Sequence, residues 1–298
     1  MKDLFFVNSK GQDVNYFLWD IENPIATVVI SHGMAEHALR YDALANYLNE
    51  NKIKVYAISQ IGHGPHAEKL GHMGKDEFNL CVSNLNDLVE QAKLENNVPV
   101  FLLGHSMGSF LSQLYIERYH NIKGCILSGS SAATPIMKVG SFIASVVYAF
   151  SKDKTKPNKF MDNMSFGSYN KPLGKVRTKF DWLNRDEAEV DKYIEDPLCG
   201  YVCSTSFFKY MTKGLAEMGK KKVLKNVDKN LPLLIHGGSM DPVSNCGKGL
   251  YALEKQYQKL GLTNVKLIVY ENARHEIYNE LNKNEVYENT LNFIKENL

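Results

Sequence analysis

The chain has 298 residues, 44% of them hydrophobic and 23% charged, and its 35 basic side chains against 33 acidic ones leave a net charge of +2. That composition excludes a disordered chain, and the near-neutral balance gives no field of the kind a nucleic-acid binder carries. The length suits one large α/β domain or two small ones.

Residues 4–7, the turn Asn8-Ser9-Lys10-Gly11 and residues 15–19 predict an opening hairpin. The pattern then changes. Apolar runs rich in β-branched residues at 26–30, 53–58, 100–103 and 125–127 alternate with helix-period segments at Tyr41, Leu44 and Leu48, at Leu80, Leu85, Leu88 and Val89, and over 110–119. Continuous apolar strands separated by helices predict a parallel sheet covered on both faces. The alternation stops near Ser130 and resumes with a strand at 231–235, a helix through Leu250, Leu253 and Tyr257, a strand at 265–270 and a closing helix carrying Val286, Leu291, Phe293 and Ile294. The expectation is an α/β fold of eight mostly parallel strands. Its core comprises residues 1–131 and 231–298, and residues 132–230 form a helical cap or lid over the carboxyl ends of the strands.

Within that insertion Ile136, Val139, Phe142, Ile143, Val146, Val147 and Phe150 recur at helical spacing, and Lys152, Lys154, Lys156 and Lys159 follow. One reading is a surface-seeking helix that makes transient contact with a lipid interface; the preferred one is a cap helix packed on the core, with a solvated charge run after it. On that spacing Met137, Val139, Phe142, Ile143 and Val146 are expected to line an apolar acyl channel. The longest apolar-rich stretch, 142–150, is far shorter than the ~20 residues a spanning helix needs. The first residues lead into a strand with no cleavage-site pattern, so secretion is not indicated. Cys81, Cys125, Cys199, Cys203 and Cys246 are odd in number and scattered, which fits reduced thiols in a cytoplasm rather than a disulfide framework. Cys199 and Cys203 read as neighbours on a helix, with no second pair to complete a zinc site.

The most informative motif is Gly104-His105-Ser106-Met107-Gly108, between a strand and a helix. A serine on a sharp strand-to-helix turn needs glycine on both sides before the backbone can pack closely enough to push its hydroxyl into a cleft. That hydroxyl also needs a base, and the base an acid to fix its tautomer. Asp241, in Gly237-Gly238-Ser239-Met240-Asp241-Pro242 after one strand, and His275, in Ala273-Arg274-His275-Glu276 after the last, follow in the order Ser, acid, His. All three then emerge at one edge of the sheet. An oxyanion would be received by the N–H of Met107 and by that of Met34, in the loop Ser31-His32-Gly33-Met34-Ala35-Glu36-His37. His32, His37 and His63 are expected to be structural loop histidines rather than metal ligands.

Together with Arg40-Tyr41, Gly62-His63-Gly64 and Asp196-Pro197-Leu198, these motifs resemble the monoacylglycerol lipase and lysophospholipase branch of the α/β hydrolases, the group also called serine-aminopeptidase-like. Gln60 and His66 depart from the aspartate and serine usual there around the Gly-His-Gly loop. The resemblance implies a serine hydrolase acting on a small-molecule acyl ester of lipid type, such as a monoacylglycerol or lysophospholipid, through an acyl-enzyme and without a cofactor. An aminopeptidase or thioesterase could use the same three side chains. A peptidase would need carboxylates on the cap side of the site, for which Glu187, Glu189 and Glu195 are the candidates. A binding protein on a hydrolase scaffold is the reading from another class.

Overall fold

A computed structural model describes residues 1–298, the side chain of Lys221 excepted. Eight strands form one sheet: β1 (Lys2–Val7), β2 (Asp13–Trp19), β3 (Ala26–Ser31), β4 (Ile53–Ile58), β5 (Val100–His105), β6 (Gly124–Ser128), β7 (Leu233–Gly238) and β8 (Val265–Tyr270). Their spatial order is β1-β2-β4-β3-β5-β6-β7-β8. β1 pairs antiparallel with β2 and β2 with β4, and every other pairing is parallel. The eight mostly parallel strands expected from the sequence are present.

Alternate residues of the central strands feed two separate cores, as the two-residue period of a strand requires. Val29, Leu102, Leu127 and Ile235 pack on one face with the helices α2 (Glu77–Asn96) and α3 (Met107–Ile116). Val28, Ile30, Phe101, Leu103 and Leu234 pack on the other, against α1 (Asp42–Glu50) and the last helix of the chain, Lys283–Glu296. Both faces being covered is why these strands read as unbroken apolar runs instead of alternating ones.

The stretch between β6 and β7 carries α4 (Pro135–Phe150), α5 (Lys159–Phe166), α6 (Glu187–Glu195), α7 (Thr205–Glu217) and α8 (Lys221–Leu224). Two further helices, α9 (Lys248–Lys259) and α10 (Lys283–Glu296), close the fold. α4 packs along α7. Its other face is bare: Ile136, Val139, Phe142, Val146 and Phe150 are exposed, Phe142 by 69%. The helix is therefore not wholly packed on the core, because its apolar residues run around more than one side and α7 covers only part of them. Cys199 and Cys203 lie in the connection between α6 and α7 and not on a helix as their spacing suggests, since Pro197 and Gly200 break the period. All five cysteines are free thiols. Among the described residues no helix is long and apolar enough to cross a membrane.

Glu117, just after α3, is 1% exposed. Its Oε1 accepts the Gly219 N–H at 3.1 Å while Oε2 has no partner. Burial pushes its carboxyl up to about 7. A carboxyl raised in the folded state contributes stability that is complete below the ordinary value of 4.5 and is lost as pH climbs to about 7. Glu117→Gln is therefore expected to flatten the decline over that window and to stabilise the protein at pH 8, by on the order of 1–3 kcal/mol. Thermal melts of both proteins at pH 5 and pH 8 would show it, and parallel pH profiles would refute it.

Candidate active site

β5 ends at His105 and α3 begins at Met107, leaving Ser106 alone in the turn with φ 52° and ψ −120°. A β-carbon at Gly108 would lie 1.9 Å from the Ser31 carbonyl oxygen, and one at Gly104 would lie 2.4 Å from the Gly108 carbonyl oxygen. No larger residue fits at either position. The close approach brings the start of α3 against the end of β3, so the loop that follows β3 stands directly beside Ser106. The Ser106 N–H is held by the Ser128 carbonyl at 3.0 Å.

Asp241 and His275 sit on the turns after β7 and β8. The aspartate is fully buried, and its Oδ1 accepts both the Val243 N–H at 2.9 Å and Nδ1 of His275 at 3.0 Å. Burial pulls the imidazole pKa down, but the charge and hydrogen bond of Asp241, with Glu276 and Glu36 beyond it, outweigh burial and hold it above its ordinary 6.5. The ring is fixed by its neighbours: His105 at 4.7 Å and Trp182 at 5.1 Å between ring centroids. His105 itself stays neutral, pushed down by burial and by the neighbouring His275. Ser106 and His275 line one cavity of about 310 Å³. Among the described residues the Ser106 hydroxyl makes no hydrogen bond to that ring, a contact that often tightens only when substrate is present.

Met34 borders the cavity, Met107 follows Ser106 as the first residue of α3, and among the described residues neither backbone N–H donates to an internal acceptor. The next amide along, that of Ala35, is used by Nε2 of His63 at 3.1 Å. His32 likewise takes the Gln60 N–H at 3.1 Å. Burial holds both imidazoles at about 3, so they are neutral acceptors that shape the loops.

The channel expected along α4 is not where the cavity runs. Val139, Phe142 and Val146 face solvent, Met137 and Ile143 pack partly buried on the core, and none of the five borders the cavity. Helical spacing locates an apolar face but not what covers it. The wall is instead made by Phe166, Phe180, Trp182, Leu183, Tyr193, Tyr201 and Val243, with Asp162, Asn163 and Lys179 as polar points. Glu187, Glu189 and Glu195 do not border the cavity either.

A buried ion cluster that the sequence reading did not find supports the site from behind. Arg40 donates through Nη1 and Nη2 to the two carboxylate oxygens of Glu276, the second at 2.7 Å, and through Nη1 to Glu36 at 3.2 Å. Glu36 accepts the Gly33 N–H at 2.5 Å and the Tyr41 hydroxyl at 3.0 Å. The Arg40 guanidinium also stacks over Tyr193 at 4.9 Å, whose hydroxyl donates to the Ala35 carbonyl. Thus one guanidinium ties the loop of Gly33 and Met34 to the residue after His275. On the other side the Trp182 carbonyl accepts the His275 N–H, the Leu183 carbonyl accepts the Glu276 N–H at 2.8 Å, and Arg274 donates to the carbonyls of Asp181 and Asn184. Arg40 and Glu276 carry a sequence signal only as charged residues beside the motifs; their partners lie 236 positions apart.

The sequence profile of the family described as Serine aminopeptidase, S33 matches residues 22–282. The chain belongs to this family of α/β hydrolases. Monoglyceride lipase of Mus musculus is 28% identical over 278 residues, covering 92% of this chain and 84% of that protein. Among solved structures, a thermostable carboxyl esterase from Bacillus coagulans in complex with glycerol superposes with a TM-score of 0.90 at 24% identity, covering 99% of this chain and 98% of that one. A monoacylglycerol lipase from Paleococcus ferrophilus gives 0.71 at 21% identity, with 96% and 100% covered. These structural likenesses establish the fold that the strand order already displays.

Proposed function

We propose that the protein is a serine hydrolase that cleaves a carboxylic ester of a lipid, a monoacylglycerol or lysophospholipid, through an acyl-enzyme. The observation that carries this reading is the Asp241-His275 pair ending in a cavity that also presents Ser106 from a strained turn. The aromatic and aliphatic wall suits an acyl chain, and the monoglyceride lipase named above supports the substrate class. Residues 132–230 act as the cap over a core made of 1–131 and 231–298.

Ser106 Oγ attacks the ester carbonyl carbon while Nε2 of His275 takes its proton. Asp241 holds Nδ1–H and stabilises the imidazolium, and the Met34 and Met107 amides receive the charge on the carbonyl oxygen. Collapse of the tetrahedral adduct breaks the bond to the alcohol, which leaves with the proton from His275. Water, deprotonated by His275, then attacks the acyl-serine and frees the fatty acid. An aminopeptidase would have to use Asp162 on α5, because of the three carboxylates at the cavity Glu36 and Glu276 are already paired with Arg40. The bare apolar face of α4, beside Lys152, Lys154 and Lys156, suits transient contact with an anionic lipid surface that supplies the substrate.

Ser106→Ala should lower monoacylglycerol turnover on the order of 10⁶-fold and abolish labelling by a fluorophosphonate; near-wild-type turnover would sink the assignment. Because His275 must be neutral to accept a proton and its pKa is raised, kcat/KM should fall on the acid side with a midpoint above 6.5. Asp241→Asn should move that midpoint down and cost about 10⁴-fold in kcat; an unmoved midpoint would assign the limb to another group. Phe142→Asp should reduce turnover of substrate held in anionic vesicles roughly tenfold while leaving a soluble short-chain ester unaffected, and equal loss on both substrates would remove the membrane role.

A further inference from the structure

Beside the site, three metal-ligating side chains, a borderline imidazole, a hard carboxylate and a soft thiol, converge from two parts of the chain. Nε2 of His37 lies 2.7 Å from Oδ2 of Asp196, and the Cys199 thiol joins them so that all three ligand atoms fall within 4.8 Å of one another. His37 belongs to the loop after β3, whereas Asp196 and Cys199 come from the insertion. The local sequence explains the second half of the set. In Asp196-Pro197-Leu198-Cys199 the proline presets a turn closed by the Cys199 N–H on the Asp196 carbonyl at 3.0 Å, and Oδ1 of Asp196 takes the Leu198 N–H at 2.8 Å. Oδ2 is thereby left pointing at His37, on the same side as the thiol. The Gly200 N–H then donates to the Ala35 carbonyl at 2.9 Å, which fastens this turn to the loop that bears Met34.

We propose that His37, Asp196 and Cys199 form a binding site for one Zn²⁺ ion, distinct from the catalytic constellation. The donor set is the kind zinc takes: an imidazole nitrogen, a carboxylate oxygen and a thiolate, with a fourth position left for water. A tetrahedral zinc site has donor-to-donor edges of roughly 3.3–3.7 Å, so the His37-Asp196 pair must open by about half an ångström and the thiol must close in by at most about one. His37 is 5% exposed, and among the described residues Nδ1 has no partner; Asp196 is the ring's one polar contact, so no other bond must be broken to turn Nε2 onto a metal. The surrounding charge favours a cation. Glu36 and Glu276 outnumber Arg40 by one negative charge, and Asp196 adds another. Two surplus negative charges around the cluster match the charge of a divalent ion.

Binding converts the Cys199 thiol to a zinc thiolate and releases its proton to solvent. Burial pushes that thiol up, so the metal competes with a tightly held proton, and the apparent affinity rises about tenfold per pH unit while one proton is displaced. The ion would cross-link the insertion to the loop after β3 and stabilise that closed contact.

The test is direct binding and does not depend on the proposed ester hydrolysis. In a Cys246→Ser background, which removes the more exposed thiol, calorimetric titration with Zn²⁺ at pH 8 should give one site per chain. Titration with Co²⁺ should give a thiolate-to-metal charge-transfer band. Cys199→Ser should abolish that band and weaken Zn²⁺ at least tenfold, His37→Gln should weaken it similarly, and Cys203→Ser, a buried thiol outside the cluster, should leave both intact. A thermal midpoint that rises with Zn²⁺ in the background protein and not in Cys199→Ser would add a folded-state readout. Absence of micromolar binding, a charge-transfer band that survives Cys199→Ser, or Zn²⁺ affinity unchanged in His37→Gln would each overturn the proposal.

Discussion

A guanidinium buried between two carboxylates holds the site together. Ser106, the loop of Met34 and the loop of His275 come from three distant stretches of chain, and each sits on a turn where backbone alone would leave it free to shift. Arg40 gathers two of them, bonding Glu276 on one side and Glu36 on the other, while Glu36 grips the Gly33 N–H. Such clusters are poor sources of net stability, because desolvating the charges offsets most of their attraction. Their value is geometric: once Arg40 is buried at 10% exposure, any displacement of either loop strands a charge in a place water does not reach. The elbow supplies the matching constraint from the other direction, since Gly108 lies so close to the Ser31 carbonyl that the serine cannot move independently of the end of β3.

The electrostatics around His275 follow from the same enclosure. Burial alone would make the imidazole a feeble base, as it does for His32, His63, His105 and His236, all pushed down by desolvation. His275 differs in having a fully buried carboxylate on Nδ1 and two more carboxylates behind it. Among these five buried rings, four are pushed down by desolvation and the one with a carboxylate bonded to its Nδ1 is held up.

The strands and the sheet class were legible because both faces of the sheet are covered, which writes unbroken apolar runs into β3, β5, β6 and β7. The placement of Ser106, Asp241 and His275 just beyond strand ends was legible because turn chemistry is local: glycines around the serine, an Asp-Pro turn after β7, a strand end before the histidine. The insertion was not. Its helix at 135–150 was visible from spacing, but the identity of its covered face depends on α7, some 60 residues later, and the expected channel residues turned out to face solvent or the core. The cavity wall is drawn from short irregular pieces such as Phe180, Trp182 and Tyr201, which carry no period to detect. Long-range charge pairs were equally silent, since nothing near Arg40 announces Glu276.

The short helical turn Asp181–Leu183 has a consequence for engineering. Its carbonyls, with those of Asn184, receive the Arg274 side chain and the amides of His275 and Glu276, so what looks from outside like a detachable lid is also the floor under the histidine loop. A chimera that replaces the whole stretch between β6 and β7 would discard that floor along with the helices around it. Grafts that keep residues 181–184 native, and exchange only the helices before and after them, are the ones whose chemistry should survive the transplant.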